Sequence, residues 1–293
     1  MILADIIELL SNSWQAGVIM LGLSMVFAIV LLVASIKFKV QPDPKVEQIH
    51  KVLPNIDCGA CGYAGCASYA KAVAANPDLI GLCAPGGSAA AAKIAAALNL
   101  QISDSGPPLR PIVHCRAHTE DKTSFAQFQG IESCTTANAF ANAQACKFGC
   151  LGYGDCVAAC KFDALHIFDG LATVDYAKCT GCGACVKACP RNIIKMVPFA
   201  HENMITVACS SKEHGKATRS MCQVGCIACG LCAKQSDVFS VSDNLAFVDY
   251  KKYQPNEKTE AAYNKCPTCV IVYRGKTAPP PRETKKKTEA AKT

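Results

Sequence analysis

The sequence predicts an α+β protein: one N-terminal transmembrane helix followed by several small cysteine-rich modules. Three observations predict it. A 21-residue apolar stretch lies near the start, 21 cysteines occur in 293 residues, and the cysteine runs are separated by short segments of apolar–polar alternation. Aromatic residues make up 7% of the chain and there is one tryptophan, so large apolar side chains are too few to build the cores alone. The cysteines must then hold the modules together, as disulfides or as ligands to metal.

The first element spans 1–37. No charged residue lies between Glu8 and Lys37, and Ala16–Ile36 (AGVIMLGLSMVFAIVLLVASI) is almost wholly apolar. At about 1.5 Å per residue this stretch matches a hydrocarbon core of roughly 30 Å. Trp14 sits at one edge as an aromatic belt residue would, with Lys37 and Lys39 at the other. A cleaved signal peptide would have a basic start and a shorter apolar core, whereas this start carries Asp5 and Glu8. The positive-inside rule puts the rest of the chain in the cytoplasm, a reducing compartment where thiols stay free for metal.

Residues 38–50 (FKVQPDPKVEQIH) read as a linker into a four-cysteine domain over 51–100. Within it, SAAAAKIAAALNL reads as a small helix with Ser88 as N-cap. A connecting segment, 101–145, begins with the breaker-rich QISDSGPPLRP and holds Cys115 and Cys134 in no recognisable motif. Two cysteine-dense modules follow at 146–200 and 205–273. The Pro- and Lys-rich end, 274–293, reads as a disordered basic tail.

The first constellation is DCGACGYAGC…C, comprising Cys58, Cys61, Cys66 and Cys83. Three cysteines within nine residues, interleaved with Gly59, Gly62 and Gly65, suit a backbone wrapped around a bulky iron–sulfur cube. A zinc site would prefer two separated C-x2-C knuckles, often with histidine.

The second constellation is the most specific. Cys179, Cys182, Cys185, Cys189 and Pro190 form a complete C-x2-C-x2-C-x3-C-P run, and Cys146, Cys150, Cys156 and Cys160 lie upstream. In two-cluster ferredoxins the fourth cysteine of each run ligates the other cluster. That exchange predicts a ferredoxin-like domain with one cluster on Cys146, Cys150, Cys156 and Cys189. The other is expected on Cys160, Cys179, Cys182 and Cys185.

The third constellation, CQVGCIACGLCAKQS, lacks the closing cysteine-proline. An internal repeat decodes it: FDALHIFDGLATVDYAKC ends at Cys179, and SDVFSVSDNLAFVDYKKY ends at Tyr253. Tyr253 thus stands for Cys179 and Ser236 for Cys160, while Cys266-Pro267 stands for Cys189-Pro190. The losses fall on one cluster only. The module reads as a degenerate ferredoxin-like domain keeping one cluster on Cys226, Cys229, Cys232 and Cys266, with Cys222 as the alternative fourth ligand. Cys115, Cys134, Cys209, Cys222 and Cys269 remain, either as buried free thiols or, for a pair such as Cys209 and Cys222, as part of a further site.

Four 4Fe-4S clusters are therefore expected. The formal charge of +7 includes +5 from the segment after Tyr273, and thiolate-ligated clusters add negative charge. Net charge thus gives no ground for nucleic-acid binding. No G-x-G-x-x-G follows a strand, and no phosphate loop, Ser-His-Asp or paired-carboxylate constellation is present. Clusters in series without a nucleotide signature read as a wire, whose chemistry partner subunits must complete with flavin or nicotinamide.

The N-terminal anchor, LPNIDCGACGYAGC with its distant Cys83, and CKFGCLGYGDCVAACKFDALHIFDGLATVDYAKCTGCGACVKACPRNII together resemble the B-type subunit of the Rnf ion-translocating oxidoreductase complex. The resemblance reaches to about residue 273. It implies a multisubunit translocase in a bacterial cytoplasmic (inner) membrane, passing electrons between reduced ferredoxin and NAD while moving Na+ or H+. The B-type subunit would be its single-pass electron carrier, with iron–sulfur domains on the cytoplasmic side, soluble ferredoxin as donor and the other subunits as partners. The chain departs from the family's longer members at 253–259 (YQPNEKT), where a C-x2-C-x2-C run is missing. A membrane-anchored polyferredoxin serving another redox enzyme is the alternative. A cluster-based sensor would need an output domain, which no segment supplies.

Overall fold

The structure is a computed structural model that describes residues 2–38, 43–100, 106–125, 128–140 and 144–283. It divides into two compact units, Met1–Glu47 and Gln48–Thr293. The first unit is dominated by helix α1 (Ile2–Lys37). Its segment Gly17–Lys37 is long and apolar enough to cross a membrane by length and composition, and the apolar side chains from Val18 to Ile36 are exposed. Proteins bathed wholly in water rarely show so large an apolar surface.

The expected linker at 38–50 is in part a helix, α2 (Pro44–Val52). Asp43 Oδ1 accepts from Lys45 N at 2.9 Å, and Pro44 holds the first helical position, where its missing N–H costs nothing. Ile49 of α2 and Leu53 are buried, as are Tyr69, Ala70 and Val73 of α3 (Cys66–Ala75) and Ala91 and Ile94 of α4 (Gly87–Ala97). A short 3-10 turn, Pro77–Leu79, separates α3 from α4. Ser88 is not the cap of α4: the helix begins at Gly87 and Gly86 is its N-cap, without a side-chain bond. Alanine's high propensity suffices there.

The remaining chain is two copies of one plan, each made of two small antiparallel pairs. In the first copy β1 (Leu109–Val113) precedes α5 (Cys134–Ala139) and α6 (Asp155–Ala158). The hairpin β2 (Leu165–Phe168) and β3 (Leu171–Val174) follows, then α7 (Ala184–Ala188) and β4 (Ile194–Pro198). β1 pairs with β4, Leu109 opposite Pro198 and Val113 opposite Ile194. The second copy runs β5 (Asn203–Val207), α8 (Gly215–Met221), α9 (Leu231–Gln235), the hairpin β6 (Phe239–Ser242) and β7 (Leu245–Val248), α10 (Glu257–Lys265) and β8 (Ile271–Gly275). There β5 pairs with β8 and β6 with β7. The hairpins turn through Asp169-Gly170 and Asp243-Asn244, all four with positive φ, as the tightest right-twisted turns require.

The first copy thus begins at Leu109, earlier than the 146 boundary read from the cysteines, and the segment around Cys115 is part of its sheet. The cysteines belong to the cores. Cys226 and Cys232 are buried with Met204, Ile205, Phe239 and Ile271 in the second copy; Cys150, Cys156 and Cys185 with Val113, Leu165 and Ile194 in the first. At the positions that align with Cys179 and Cys160, the second copy has Tyr253, 4% exposed, and Ser236, 4%, so protein atoms fill that place. Of the basic tail, residues 284–293 lie outside the described residues.

Candidate iron–sulfur centres

All 21 cysteines are free thiols, and 20 of them line five cavities, four to each. Cys58, Cys61, Cys66 and Cys83 surround a space of about 320 Å³ walled by Ile56, Tyr69 and Pro85. Asp57 Oδ1 accepts from Cys66 N at 2.6 Å, closing the loop over the start of α3. A side chain at Gly65 would put its Cβ 2.8 Å from that same oxygen, so the motif's third glycine is needed for close approach. Burial, with Cys83 and Cys61 adjacent, pushes the Tyr69 hydroxyl up to about 12.

In the first copy Cys160, Cys179, Cys182 and Cys185 surround about 270 Å³. Thr180 Oγ1 faces this cavity, buried and without a partner, and Ala164 N donates to Cys160 Sγ at 3.4 Å. Such donors are what thiolate and sulfide acceptors take up. In the second copy Cys226, Cys229, Cys232 and Cys266 surround about 350 Å³. Cys266 arrives from the C-terminal end of α10, over thirty residues after Cys232, whereas Cys222 lies elsewhere.

The remaining expected set is assembled differently. Cys150, Cys156 and Cys189 line a cavity of about 330 Å³, but its fourth cysteine is Cys134, not Cys146. The physical reason lies in the repeat. Aligned on Cys150 and Cys226, Cys156 matches Cys232 while Tyr153 stands where Cys229 does. The fourth thiol in this cavity comes from α5. Asp155, next to Cys156, accepts from Cys134 N at 2.7 Å, Thr135 N at 2.9 Å, Thr135 Oγ1 at 2.7 Å and Ser133 Oγ at 3.1 Å. Desolvation raises the Asp155 pKa, but these bonds outweigh it and hold the carboxyl below its usual range. Cys146 instead lines a cavity with Cys115, Cys209 and Cys222.

The donor sets fit a cube better than a single ion. Among the described residues no three His, Cys, Asp or Glu side chains converge closely enough to hold one metal ion. A tetrahedral zinc, with Zn–S of about 2.3 Å, needs that convergence. A four-iron cluster instead meets one thiolate at each corner of a cage. Burial, then Cys150 beside Cys156 and Cys179 beside Cys185, pushes the Cys156 and Cys185 thiols up to about 12; Cys150 and Cys179 are raised too, again mainly by burial. Metal must displace those protons.

Comparison with known proteins agrees with this chemistry. The Fe-S cluster family model matches residues 53–85, and the 4Fe-4S binding domain model matches 172–195. The chain is 36% identical over 247 residues to the B-type subunit of the Na(+)-translocating ferredoxin:NAD(+) oxidoreductase complex of Acetobacterium woodii, covering 83% of this chain and 72% of that one. The chain belongs to the B-type subunit family of ion-translocating oxidoreductase complexes. It is also 34% identical over 239 residues to the Methanosarcina acetivorans member, covering 80% of this chain and 89% of that one. To the corresponding subunit of the proton-translocating ferredoxin:NAD(+) oxidoreductase complex of Clostridium ljungdahlii it is 36% identical over 263 residues, 87% and 90% of the two chains. A family of iron–sulfur subunits gives the ferredoxin-like copies their context: they are modules of an oxidoreductase that works as an assembly.

Proposed function

We propose that this chain accepts electrons from reduced ferredoxin and relays them towards flavin- or nicotinamide-bearing subunits of a membrane complex that moves Na+ or H+. The observation that carries this reading is the set of separate four-cysteine cavities strung along one chain. The ligand sets are Cys58, Cys61, Cys66 and Cys83; Cys134, Cys150, Cys156 and Cys189; Cys160, Cys179, Cys182 and Cys185; and Cys226, Cys229, Cys232 and Cys266. A 4Fe-4S cluster, when bound, supplies a one-electron carrier whose potential follows its surroundings.

The chain's own residues set those surroundings. Ile193 and Ile194 line the Cys134 cavity, and Val270 and Ile271 the Cys226 cavity, keeping water from the thiolates. Backbone N–H groups, such as Ala164 N on Cys160, stabilise negative charge on sulfur. Arg191 Nη1 donates to the carbonyls of Cys146 and Gly149 at 2.8 Å, holding a positive charge beside the Cys134 cavity. Cys229 is exposed, which leaves the Cys226 cavity an opening to solvent. Helix α1 is read as a single-pass anchor, with Lys37 on the cytoplasmic side.

The relatives are named for different ions, so the ion is taken only as Na+ or H+. Membranes lacking this chain should lose ferredoxin-dependent NAD reduction, and the wild-type chain should restore it. The Cys182→Ser variant should not. Full activity in membranes that lack the chain would overturn the proposal.

A further inference from the structure

We infer that Cys115, Cys146, Cys209 and Cys222 form a further four-thiolate iron–sulfur site, built by the two repeats together. Their cavity is the largest of the five, about 410 Å³, and Ala117, Phe148, Ala208 and Val224 contribute to its apolar wall.

The two copies contribute equivalent pairs. Cys115 follows the last residue of β1, Val113, by two positions, and Cys209 follows the last residue of β5, Val207, by two. Cys146 precedes Cys150 by four positions in CKFGC, as Cys222 precedes Cys226 in CQVGC. The site is thus pseudo-symmetric, and neither copy could complete it alone. This is why the C-x3-C spacing occurs twice: the first cysteine of each pair serves the shared site and the second serves its own copy.

Hydrogen bonds between the copies tie down Cys115, Cys209 and Cys222, and one within the first copy places Cys146. His114 Nδ1 lies 2.9 Å from Val207 O, and Ser210 Oγ donates to His114 O at 3.0 Å, tying Cys115 to Cys209. Gln223 N donates to Asp121 O and Thr123 N to Met221 O, both at 3.0 Å, which fixes Cys222. Ala145 N donates to Thr123 O at 2.9 Å, bringing Cys146 to the same place.

A second observation points to a ligand. Gln144 Nε2 lines the cavity, is buried, and has no hydrogen-bond partner. A buried amide N–H left without an acceptor forfeits its hydration and gains nothing in return. The sulfides and thiolates of a cluster are the acceptors this apolar cavity otherwise lacks. Ser211 N already donates to Cys209 Sγ at 3.4 Å. Arg116 and Lys122 also line the site, and their charge offsets that of four thiolates. Lys122 Nζ is held by Cys150 O at 2.9 Å and Gly170 O at 2.7 Å, so its position is fixed. Gly149 borders both this cavity and that of Cys134, Cys150, Cys156 and Cys189, so the two sites are neighbours.

Cys269 is then the one cysteine outside any set; its Sγ donates to Glu283 O at 3.4 Å, and it provides the control. The full chain, purified without oxygen, should hold about 20 iron and 20 sulfide when all five sites are filled. Cys209→Ser, Cys222→Ser and the double variant should each lose the same four or so iron, together with one electron paramagnetic resonance signal on reduction. Cys269→Ser should lose none. A wild-type count of about 16 iron with the other four signals intact would overturn the inference without touching the relay reading. So would about 16 iron with one zinc, or equal iron in wild type and Cys209→Ser. Twenty iron in a chain that ferredoxin fails to reduce would do the converse.

Discussion

Asp155→Ala removes no cysteine, yet it should make one cluster labile. The Asp155 carboxylate accepts four hydrogen bonds from Ser133, Cys134 and Thr135, and these pin the start of the six-residue helix that presents Cys134. A helix that short has no stability of its own. Because the carboxylate is partly solvated, the cap is worth about 1 kcal/mol, at the middle of the usual range. Losing it should raise the population of chains with Cys134 swung away about fivefold. The assay is anaerobic iron release to an excess of chelator, followed by the loss of visible absorbance. About four iron per chain should leave about fivefold faster, with the rest unchanged. Cys134→Ser should remove that cluster's signal outright, whereas Cys146→Ser should leave it in place. Unchanged release from Asp155→Ala, or a Cys150-site signal that survives Cys134→Ser and disappears in Cys146→Ser, would refute the assignment.

Cys266→Ser should lose the cluster shared with Cys226, Cys229 and Cys232, while Cys269→Ser, three positions on, keeps its full iron; iron and sulfide analysis separates them. Tyr253, 4% exposed, fills the place of a missing ligand, so Tyr253→Ala should cost about 3–5 kcal/mol in a chemical denaturation of the metal-free chain. Loading clusters into that chain from iron and hydrosulfide near pH 7.5 should release about eight protons per cluster, about four from the hydrosulfide and about four from the cysteines, measurable with an indicator dye, because buried thiols such as Cys156 and Cys185 hold their protons to about 12. The folded thiol values are raised above the ordinary 9.0, so they add stability to the metal-free fold below about pH 9, and this is lost as pH climbs towards 12. Titration of the metal-free chain by circular dichroism checks that window.

Much of the candidate site was legible because cluster ligands come in short runs. The run at Cys179–Pro190, the glycine-spaced motif at Cys58–Cys66 and the loss pattern around Ser236 and Tyr253 are local signals. Cys134 was not legible. Its place in the cavity answers Tyr153 standing at a cysteine's position, which shows only when the repeats are aligned downstream of Cys150 and Cys226. Cys146 misled because a C-x3-C pair near a ferredoxin run reads as one ligand set, although its two thiols face different cavities. Strand β1 was hidden by distance, since its partner β4 lies about eighty residues on, and by Pro111, which a strand tolerates only at an edge. Helix α2 did carry a signal in Asp43-Pro44, a cap followed by a first-turn proline, inside what otherwise reads as a linker.

On the relay proposed above, this chain takes electrons from ferredoxin and stores them one per cluster. The most direct test is an anaerobic titration of the full-length protein in detergent with reduced ferredoxin, counting electrons by the spectra of both proteins. Uptake of about one electron per four iron bound, abolished site by site in the cysteine variants, is the expected result. A chain with its full iron that takes no electrons from reduced ferredoxin would contradict it.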